Sequence, residues 1–218
     1  MNVPSESNLR RTQRRVFQGF QIFATCDTDM PPCPITEPTI LTANHRSLAD
    51  LFLAASLFHI WKWPVRPLVA GSYFEKPVIG SLLKRLGAIP VTGSDAIDVA
   101  KEVLSSGVSV AVMPEGRVVR PEEWEPTRVG TPRIGVALLA IETKCPVLLI
   151  GVSGTEVLWP RGKLLPKFTP WKRAKTFVRL KLHGTVGGSD PEAVLTEIWS
   201  GVKEMVEKAE ADRQAAMN

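Results

Sequence analysis

Short apolar runs rich in β-branched residues alternate with helical segments along most of this 218-residue chain. The runs predicted as strands cover residues 39–43, 66–70, 88–92, 108–113, 147–152 and 177–182. The segments predicted as helices cover residues 48–60, 78–86, 96–106, 131–142 and 191–211. Strands separated by helices favour parallel pairing, because each helix returns the chain to the start of the next strand. The sequence therefore predicts a single α/β domain with a largely parallel central sheet flanked by helices.

The composition is that of an ordinary globular chain rather than a disordered one. Hydrophobic residues make up 44% of the chain and charged residues 22%, which allows one sizeable core. Lys and Arg outnumber Asp and Glu by 27 to 22, and the resulting net charge of +5 favours anionic partners. The charge alone does not choose between a membrane surface, nucleic acid and phosphorylated metabolites.

No apolar run predicts a membrane-spanning helix, which needs about 20 nearly uninterrupted apolar residues. The most apolar stretches are residues 51–60 and 136–141. The arginines near the N-terminus precede no apolar run, so no secretory signal is predicted. The three cysteines show neither a CxxC nor a His-paired spacing and are expected to be unpaired thiols: Cys26, Cys33 and Cys145. These features together predict a cytoplasmic protein.

A basic amphipathic helix is predicted over residues 9–24, with Val16, Phe20 and Phe23 forming an apolar stripe at helical spacing. Four basic residues crowd its first half: Arg10, Arg11, Arg14 and Arg15. This pattern is typical of helices that lie on anionic membranes. The alternative is a terminal helix that packs its apolar stripe on the core and leaves its arginines in solvent.

A loop is predicted directly after this helix. Four prolines fall within residues 27–38: Pro31, Pro32, Pro34 and Pro38. We therefore divide the chain into an N-terminal helix with its Pro-rich loop, residues 1–38, and one α/β domain, residues 39–218. Neither an internal repeat nor a second globular domain is predicted.

In α/β folds, active groups gather where a strand ends and the next element begins. The first such junction reads Asn-His-Arg-Ser-Leu-Ala-Asp at residues 44–50. Residues five apart on one helix point about 140° away from each other, so His45 can reach Asp50 only if His45 precedes the helix. A carboxylate on one imidazole nitrogen raises the basicity of the other, as a general base requires. Ser47 and Asp50 also fit a capping box, in which Asp50 merely stabilises the helix start.

The second junction reads Met-Pro-Glu-Gly-Arg-Val-Val-Arg at residues 113–120, where an apolar strand ends in a tight turn. Glu115 can accept hydrogen bonds from hydroxyl groups, and Arg117 can bind phosphate through two N–H groups. A Pro-Glu-Gly-Arg tetrapeptide by itself is more often an ordinary surface turn. It indicates a functional site here only because the first junction occurs in the same chain.

The two junctions together resemble the glycerolipid acyltransferases, the family that includes 1-acylglycerol-3-phosphate acyltransferase. The resemblance rests on the His-x4-Asp block at residues 44–50 and on Pro-Glu-Gly at 114–116. Residues 75–80 and 87–91 resemble the family's middle motif region, and residues 145–156 resemble its fourth block, a proline-led strand. These blocks occur in one order and with sensible spacing.

The resemblance implies that a fatty acyl group moves from a thioester, on coenzyme A or acyl carrier protein, to the hydroxyl of a lipid acceptor. His45 would deprotonate that hydroxyl, and Asp50 would orient the imidazole and stabilise the imidazolium. Glu115 and Gly116 would help bind the polar head of the acceptor, with Arg117 and Arg120 as further substrate-binding residues. The resemblance implies no covalent acyl-enzyme, metal ion or cofactor.

The chain departs from the family pattern at two places. The middle block, which usually ends in an arginine that meets acceptor phosphate, reads Val-Thr-Gly at residues 91–93. Arg117 follows Gly116 directly, one position earlier than the family's arginine. The missing charge is expected from one of four residues: Arg117, Arg120, Arg128 or Arg133. The alternatives are another lipid acceptor, a small hydroxylated or aminated metabolite, or a non-catalytic module that binds membrane or nucleic acid.

A second basic and aromatic stretch lies near the C-terminal end of the resemblance. Its residues are Lys163, Lys167, Trp171, Lys172, Arg173 and Lys175. We expect these side chains to contact lipid headgroups rather than to form a solvated loop, because the expected acceptor is a lipid. No nucleic-acid recognition motif accompanies them. An anionic membrane surface is therefore the predicted partner, with a peripheral location.

Overall fold

The computed structural model describes residues 4–31, 37–169 and 171–218, with the main chain alone at residue 94. Its strands are β1 (Ala24–Thr28), β2 (Ile40–Ala43), β3 (Arg66–Ala70), β4 (Ile89–Val91), β5 (Val110–Val112), β6 (Val147–Ser153) and β7 (Ala174–Gly184). Its helices are α1 (Glu6–Phe23), α2 (Ala49–Ile60), α3 (Pro77–Arg85), α4 (Ala96–Ser105), α5 (Pro121–Trp124), α6 (Gly135–Thr143), α7 (Thr155–Leu158) and α8 (Pro191–Ala215).

The seven strands form one mostly parallel sheet in the order β1-β7-β6-β2-β5-β3-β4. Every neighbouring pair is parallel except β6 and β7. The prediction of a single α/β domain with a largely parallel sheet flanked by helices is confirmed. The β2 strand lies at the centre of the sheet, between β6 and β5. The residues that follow β2 therefore lie near the middle of the row formed by the strand ends.

Each face of the sheet is covered by helices. Along the fully buried β6 strand, Val147 and Leu149 pack into the cluster that includes α4, α6 and α8. Leu148, Ile150 and Val152 pack into the opposite cluster with α1 and α2. This alternation follows from the two-residue period of a strand, and it explains why β6 reads as a continuous apolar run.

Strand β1 was missing from the sequence prediction, which assigned its residues to the end of the first helix and to the Pro-rich loop. The strand reads Ala-Thr-Cys-Asp-Thr and pairs with β7, beginning at Ala24 opposite Ala174. Its short sequence mixes polar and apolar residues and gives no clear strand signal. The strand forms because it pairs with β7, which lies far away in the chain. The predicted loop lies partly outside the described residues, and the boundary after residue 38 remains a prediction.

The first helix packs its apolar stripe on the core. Phe20 is buried, Val16 and Phe23 are half-buried, and the helix lies against α2. The four arginines of its first half are exposed. Of the two interpretations of the sequence, the structure therefore supports docking for the apolar stripe. No helix in the described ranges is long and apolar enough to cross a membrane.

Helix α8 crosses β6 at Gly151, where a side chain has no room. A Cβ atom at Gly151 would lie 2.0 Å from the carbonyl carbon of Met205 and 2.2 Å from the nitrogen of Val206. Both are main-chain atoms, so relief requires the helix to move away from the sheet.

We expect Gly151→Ala to lower the free energy of unfolding by about 1–3 kcal/mol, as overpacking does elsewhere. Denaturant unfolding followed by circular dichroism measures the change. Gly19→Ala in α1 is the control, since nothing lies within 4 Å of its added Cβ; it should be neutral or stabilise by up to about 1 kcal/mol. Equal losses in both variants would contradict the close contact.

Candidate active site

The turn between β2 and α2 carries the first predicted junction. Asn44 fixes its start by two hydrogen bonds to Val152 of β6: Nδ2 donates to the carbonyl oxygen at 3.0 Å, and Oδ1 accepts from the N–H at 2.8 Å. The buried amide thus continues the β2–β6 pairing one residue past the end of β2. The next residue, His45, is held at the carboxyl edge of the central strand.

His45 and Asp50 meet as predicted. His45 Nδ1 lies 2.8 Å from Oδ2 of Asp50. The same oxygen accepts the main-chain N–H groups of Arg46 and Ser47, each at 2.9 Å. The Asp50 side chain is 1% exposed and that of His45 is 21% exposed, so a buried carboxylate holds a ring that still reaches solvent.

The contacts of Asp50 are compatible with both interpretations of this motif. Asp50 bonds the N–H of Ser47, and Ser47 Oγ accepts the N–H of Ala49 at 3.0 Å, so the pair also caps the start of α2. The carboxylate beside Nδ1 favours the tautomer that carries its proton there, which leaves the lone pair on Nε2. The arrangement can act as a general base toward a group that approaches Nε2.

Glu115, from the second junction, lies beneath the His45 turn. Its Oε1 accepts the N–H of Gly130 at 2.6 Å, and its Oε2 accepts the N–H of His45. Val119 adds a further link, because its N–H donates to the carbonyl oxygen of His45 at 2.9 Å. Glu115 is buried and anchors the main chain of the turn. A direct contact between Glu115 and the acceptor remains a prediction.

The environment of Glu115 changes its acidity. Burial raises the pKa of its carboxyl from 4.5 to about 7, although the hydrogen bonds from Gly130 and His45 act in the opposite direction. The carboxyl of Glu115 therefore changes its protonation state near neutral pH, while it is in contact with the main chain of His45.

Gly116 and the predicted arginines lie on the turn that follows. Gly116 adopts a left-handed φ of +68°, and a Cβ there would lie 2.9 Å from Cζ of Arg133. Arg117 pairs with Glu123 through both terminal nitrogens, and Arg120 Nε lies 3.9 Å from the same carboxylate. Arg117 is therefore hydrogen-bonded to Glu123 and Arg120 lies near the same carboxylate, whereas Arg133 lies against Gly116.

Sequence reasoning missed the role of Arg46. Its side chain is buried, with Nη1 donating to Glu210 of α8 at 2.6 Å and Nη2 donating to the carbonyl oxygen of Arg128. Its guanidinium lies 3.8 Å from the ring centroid of Trp124. A buried charge needs such partners, and they stand up to 164 residues away in the chain. No local signal indicates them.

A separate groove of about 660 Å³ lies between α1 and the end of α2 with the residues that follow it. Arg10, Arg14, Phe17 and His59 line it, whereas His45 and Asp50 do not. His59 packs on Phe17 with ring centroids 5.2 Å apart. The groove lies at the far end of α2 from the candidate base.

Of the two cysteines in the described ranges, Cys26 is a poor candidate for a nucleophile. Cys26 and Cys145 are both free thiols, and burial raises the pKa of the Cys26 thiol to about 11. A thiol with a raised pKa is a weak nucleophile at neutral pH. Cys33 lies outside the described residues. Within the described ranges, no cluster of three or more His, Cys, Asp or Glu side chains is placed to hold a metal ion.

The fold and this site define an α/β protein that positions a histidine–aspartate pair at the carboxyl end of its central strand. The Acyltransferase family model matches residues 14–153, more than half of the chain, and this range includes both junctions. The protein belongs to this acyltransferase family.

A solved structure shows the same fold. The crystal structure of PlsC from Thermotoga maritima, a 1-acyl-sn-glycerophosphate acyltransferase, is similar with a TM-score of 0.73. The two chains are 22% identical, and the similarity covers 94% of this chain and 80% of that chain. A comparison with curated proteins finds no match.

We expect the raised pKa of Glu115 to make stability depend on pH. Between about pH 4.5 and 7 the folded state binds more protons than the unfolded state, so the free energy of unfolding falls as pH rises through that window. Glu115→Gln should remove a fall of about 3 kcal/mol, since each pKa unit corresponds to about 1.4 kcal/mol.

Denaturant unfolding at several pH values measures this dependence. The readout is the change of the free energy of unfolding with pH. Its absolute value is not informative, because the substitution also removes one of the two oxygens that accept main-chain N–H groups. Glu122→Gln, at an exposed position of α5, is the matched control. A profile for Glu115→Gln that parallels the wild type would rule out this titration.

Proposed function

We propose that the protein moves a fatty acyl group from an acyl thioester, on coenzyme A or acyl carrier protein, to the hydroxyl of a lysophospholipid such as 1-acylglycerol-3-phosphate. The observation that carries the proposal is the 2.8 Å contact between His45 Nδ1 and buried Asp50, within an acyltransferase chain. Similarity to a 1-acyl-sn-glycerophosphate acyltransferase supports the choice of acceptor. Such a reaction belongs to phospholipid biosynthesis.

The proposed mechanism follows from the orientation of the ring. Nε2 of His45 takes the proton of the acceptor hydroxyl while the oxygen attacks the thioester carbonyl. Asp50 stabilises the imidazolium that forms, since its Oδ2 faces Nδ1. The C–S bond then breaks, an ester remains, and the thiolate leaves with the proton from Nε2. The proposed mechanism needs no covalent acyl-enzyme, and burial raises the pKa of the Cys26 thiol to about 11.

Arg133 is the arginine best placed for an acceptor phosphate. It is exposed, lies against Gly116, and forms no carboxylate pair within the described part of the chain. Arg117 and Arg120 are near Glu123, and Arg128 lies 3.3 Å from Glu210. A guanidinium without a carboxylate partner can bind phosphate without first giving up an ion pair.

A phosphate-free acceptor is the second candidate. The block at residues 91–93 has no basic residue, and the structure places a carboxylate beside it. Asp95 accepts the N–H of Thr92 at 2.7 Å and its hydroxyl at 2.7 Å, and these hydrogen bonds lower the pKa of Asp95. A negative charge there disfavours a phosphate at that place, so another lipid or a small hydroxylated or aminated metabolite stays an alternative.

We expect His45→Ala to reduce turnover by about 10²- to 10⁴-fold, the usual contribution of a general base. A thiol-release assay with acyl-coenzyme A, repeated with acyl carrier protein, measures transfer to 1-acylglycerol-3-phosphate. His59→Ala is the control, because His59 lies at the other end of α2. Near-normal turnover in a folded His45→Ala variant would reject the mechanism, and absence of transfer in the wild type would favour a non-catalytic module.

We expect Arg133→Ala to raise the KM for 1-acylglycerol-3-phosphate by about 10- to 100-fold, the loss of one charged hydrogen bond. A monoacylglycerol acceptor should be affected much less, because it has no phosphate. Arg117→Ala provides the comparison. A larger effect in Arg117→Ala would assign the phosphate to Arg117, and equal effects on both acceptors would favour the phosphate-free alternative.

A further inference from the structure

We propose that residues 161–169 and 171–173, here called the basic loop, form the part of the protein that inserts into an anionic bilayer. This inference rests on the proposed function, because a lipid acceptor has to be drawn from a membrane. It assigns the apolar contact to the basic loop rather than to the amphipathic helix α1.

The basic loop exposes large apolar side chains. Trp171 is 96% exposed, Leu164 89%, Leu165 72% and Phe168 57%. These four residues lie within eight positions, in a protein whose other large apolar side chains are mostly buried. Contiguous exposed apolar surface marks a site of contact with a membrane or another molecule.

The charge of the basic loop favours an anionic surface. Five cationic residues, all exposed, surround the apolar ones: Arg161, Lys163, Lys167, Lys172 and Arg173. No Asp or Glu occurs in the loop. Aliphatic side chains and tryptophan among lysines are the composition of membrane interfaces, where the ring lies at the headgroups and the cations attract anionic lipid. A protein partner would not require this combination.

Helix α1 cannot provide the apolar contact while it is docked. Phe20 is buried, and Phe23 packs edge-on against Phe168 with ring centroids 5.3 Å apart. Arg173 of the basic loop donates to the carbonyl oxygen of Gln21 at 3.0 Å. The end of α1 therefore supports the loop, and its exposed Ile22 lies beside that contact.

The basic loop is also joined to the catalytic turn through Trp159. Ser47 Oγ donates to the carbonyl oxygen of Trp159 at 2.7 Å, and the indole stacks on Phe52 of α2. The indole N–H of Trp159 donates to the carbonyl oxygen of Lys163 at 2.9 Å. One tryptophan thus connects the turn that carries His45 with the surface proposed to enter the bilayer.

Vesicle flotation tests the proposal. The probes are vesicles of phosphatidylcholine with and without phosphatidylglycerol. One variant replaces Leu164, Leu165, Phe168 and Trp171 by serine. A matched variant replaces Arg10, Arg11, Arg14 and Arg15 by glutamine and leaves the basic loop intact. Circular dichroism checks that both fold, as expected for changes at exposed side chains.

We expect the serine variant to partition at least about tenfold more weakly than the wild type into vesicles that contain phosphatidylglycerol. The variant with the four α1 arginines replaced by glutamine should show a smaller decrease in partitioning. Wild-type binding should depend on phosphatidylglycerol and weaken with salt. Partition of the serine variant equal to that of the wild type would overturn the proposal. So would a preference of the wild type for DNA over vesicles in competition.

Activity separates this inference from the proposed function. The serine variant should lose more transfer to acceptor embedded in vesicles than to acceptor dispersed in detergent. His45→Ala should bind vesicles like the wild type and fail with both forms of acceptor. If the wild type binds vesicles through the basic loop without transferring acyl groups, the proposed function fails while the loop assignment stands. If the serine variant loses transfer to the vesicle-embedded and the detergent-dispersed acceptor equally, the membrane role of the basic loop is rejected. The proposed acyl transfer by the wild type is not affected by that result.

Discussion

A single carboxylate oxygen organises the turn on which the proposed chemistry depends. Oδ2 of Asp50 receives the ring N–H of His45 and the main-chain N–H groups of Arg46 and Ser47. Three donors converge on one buried acceptor, so the path of the main chain and the direction of the imidazole are set together. The same carboxylate bonds the N–H of Ser47, whose Oγ accepts the first N–H of α2. A change at Asp50 is therefore expected to affect both the start of the helix and the tautomer of the candidate base.

The turn also draws support from distant parts of the chain. Asn44 is bonded to β6, Glu115 anchors the main chain of His45, and Arg46 reaches Glu210 in the last helix. These partners stand 108, 70 and 164 residues away. Each of these contacts fixes the position of a residue directly before, at or after the histidine. The rigidity of the site is a property of the whole sheet and of α8, because the local sequence supplies only the contact with Asp50.

The separation between local and distant contacts explains what the sequence could predict. The His45–Asp50 pair lies within six residues, and β6 reads as an apolar run because both faces are buried, so both were predictable. Strand β1 escaped prediction because its pairing with β7 is remote and its sequence is mixed. The anchoring role of Glu115 escaped because a Pro-Glu-Gly turn gives no sign of burial. Arg46 escaped for the same reason: its partners are brought together only by the fold.

The distance along the chain between Arg46 and Glu210 has a consequence for how the site assembles. Helix α8 follows every strand of the sheet, and its Glu210 pairs with the guanidinium of the residue next to His45. A buried arginine without a carboxylate is costly. The turn that carries His45 therefore gains its full set of contacts only when α8 has docked on the sheet.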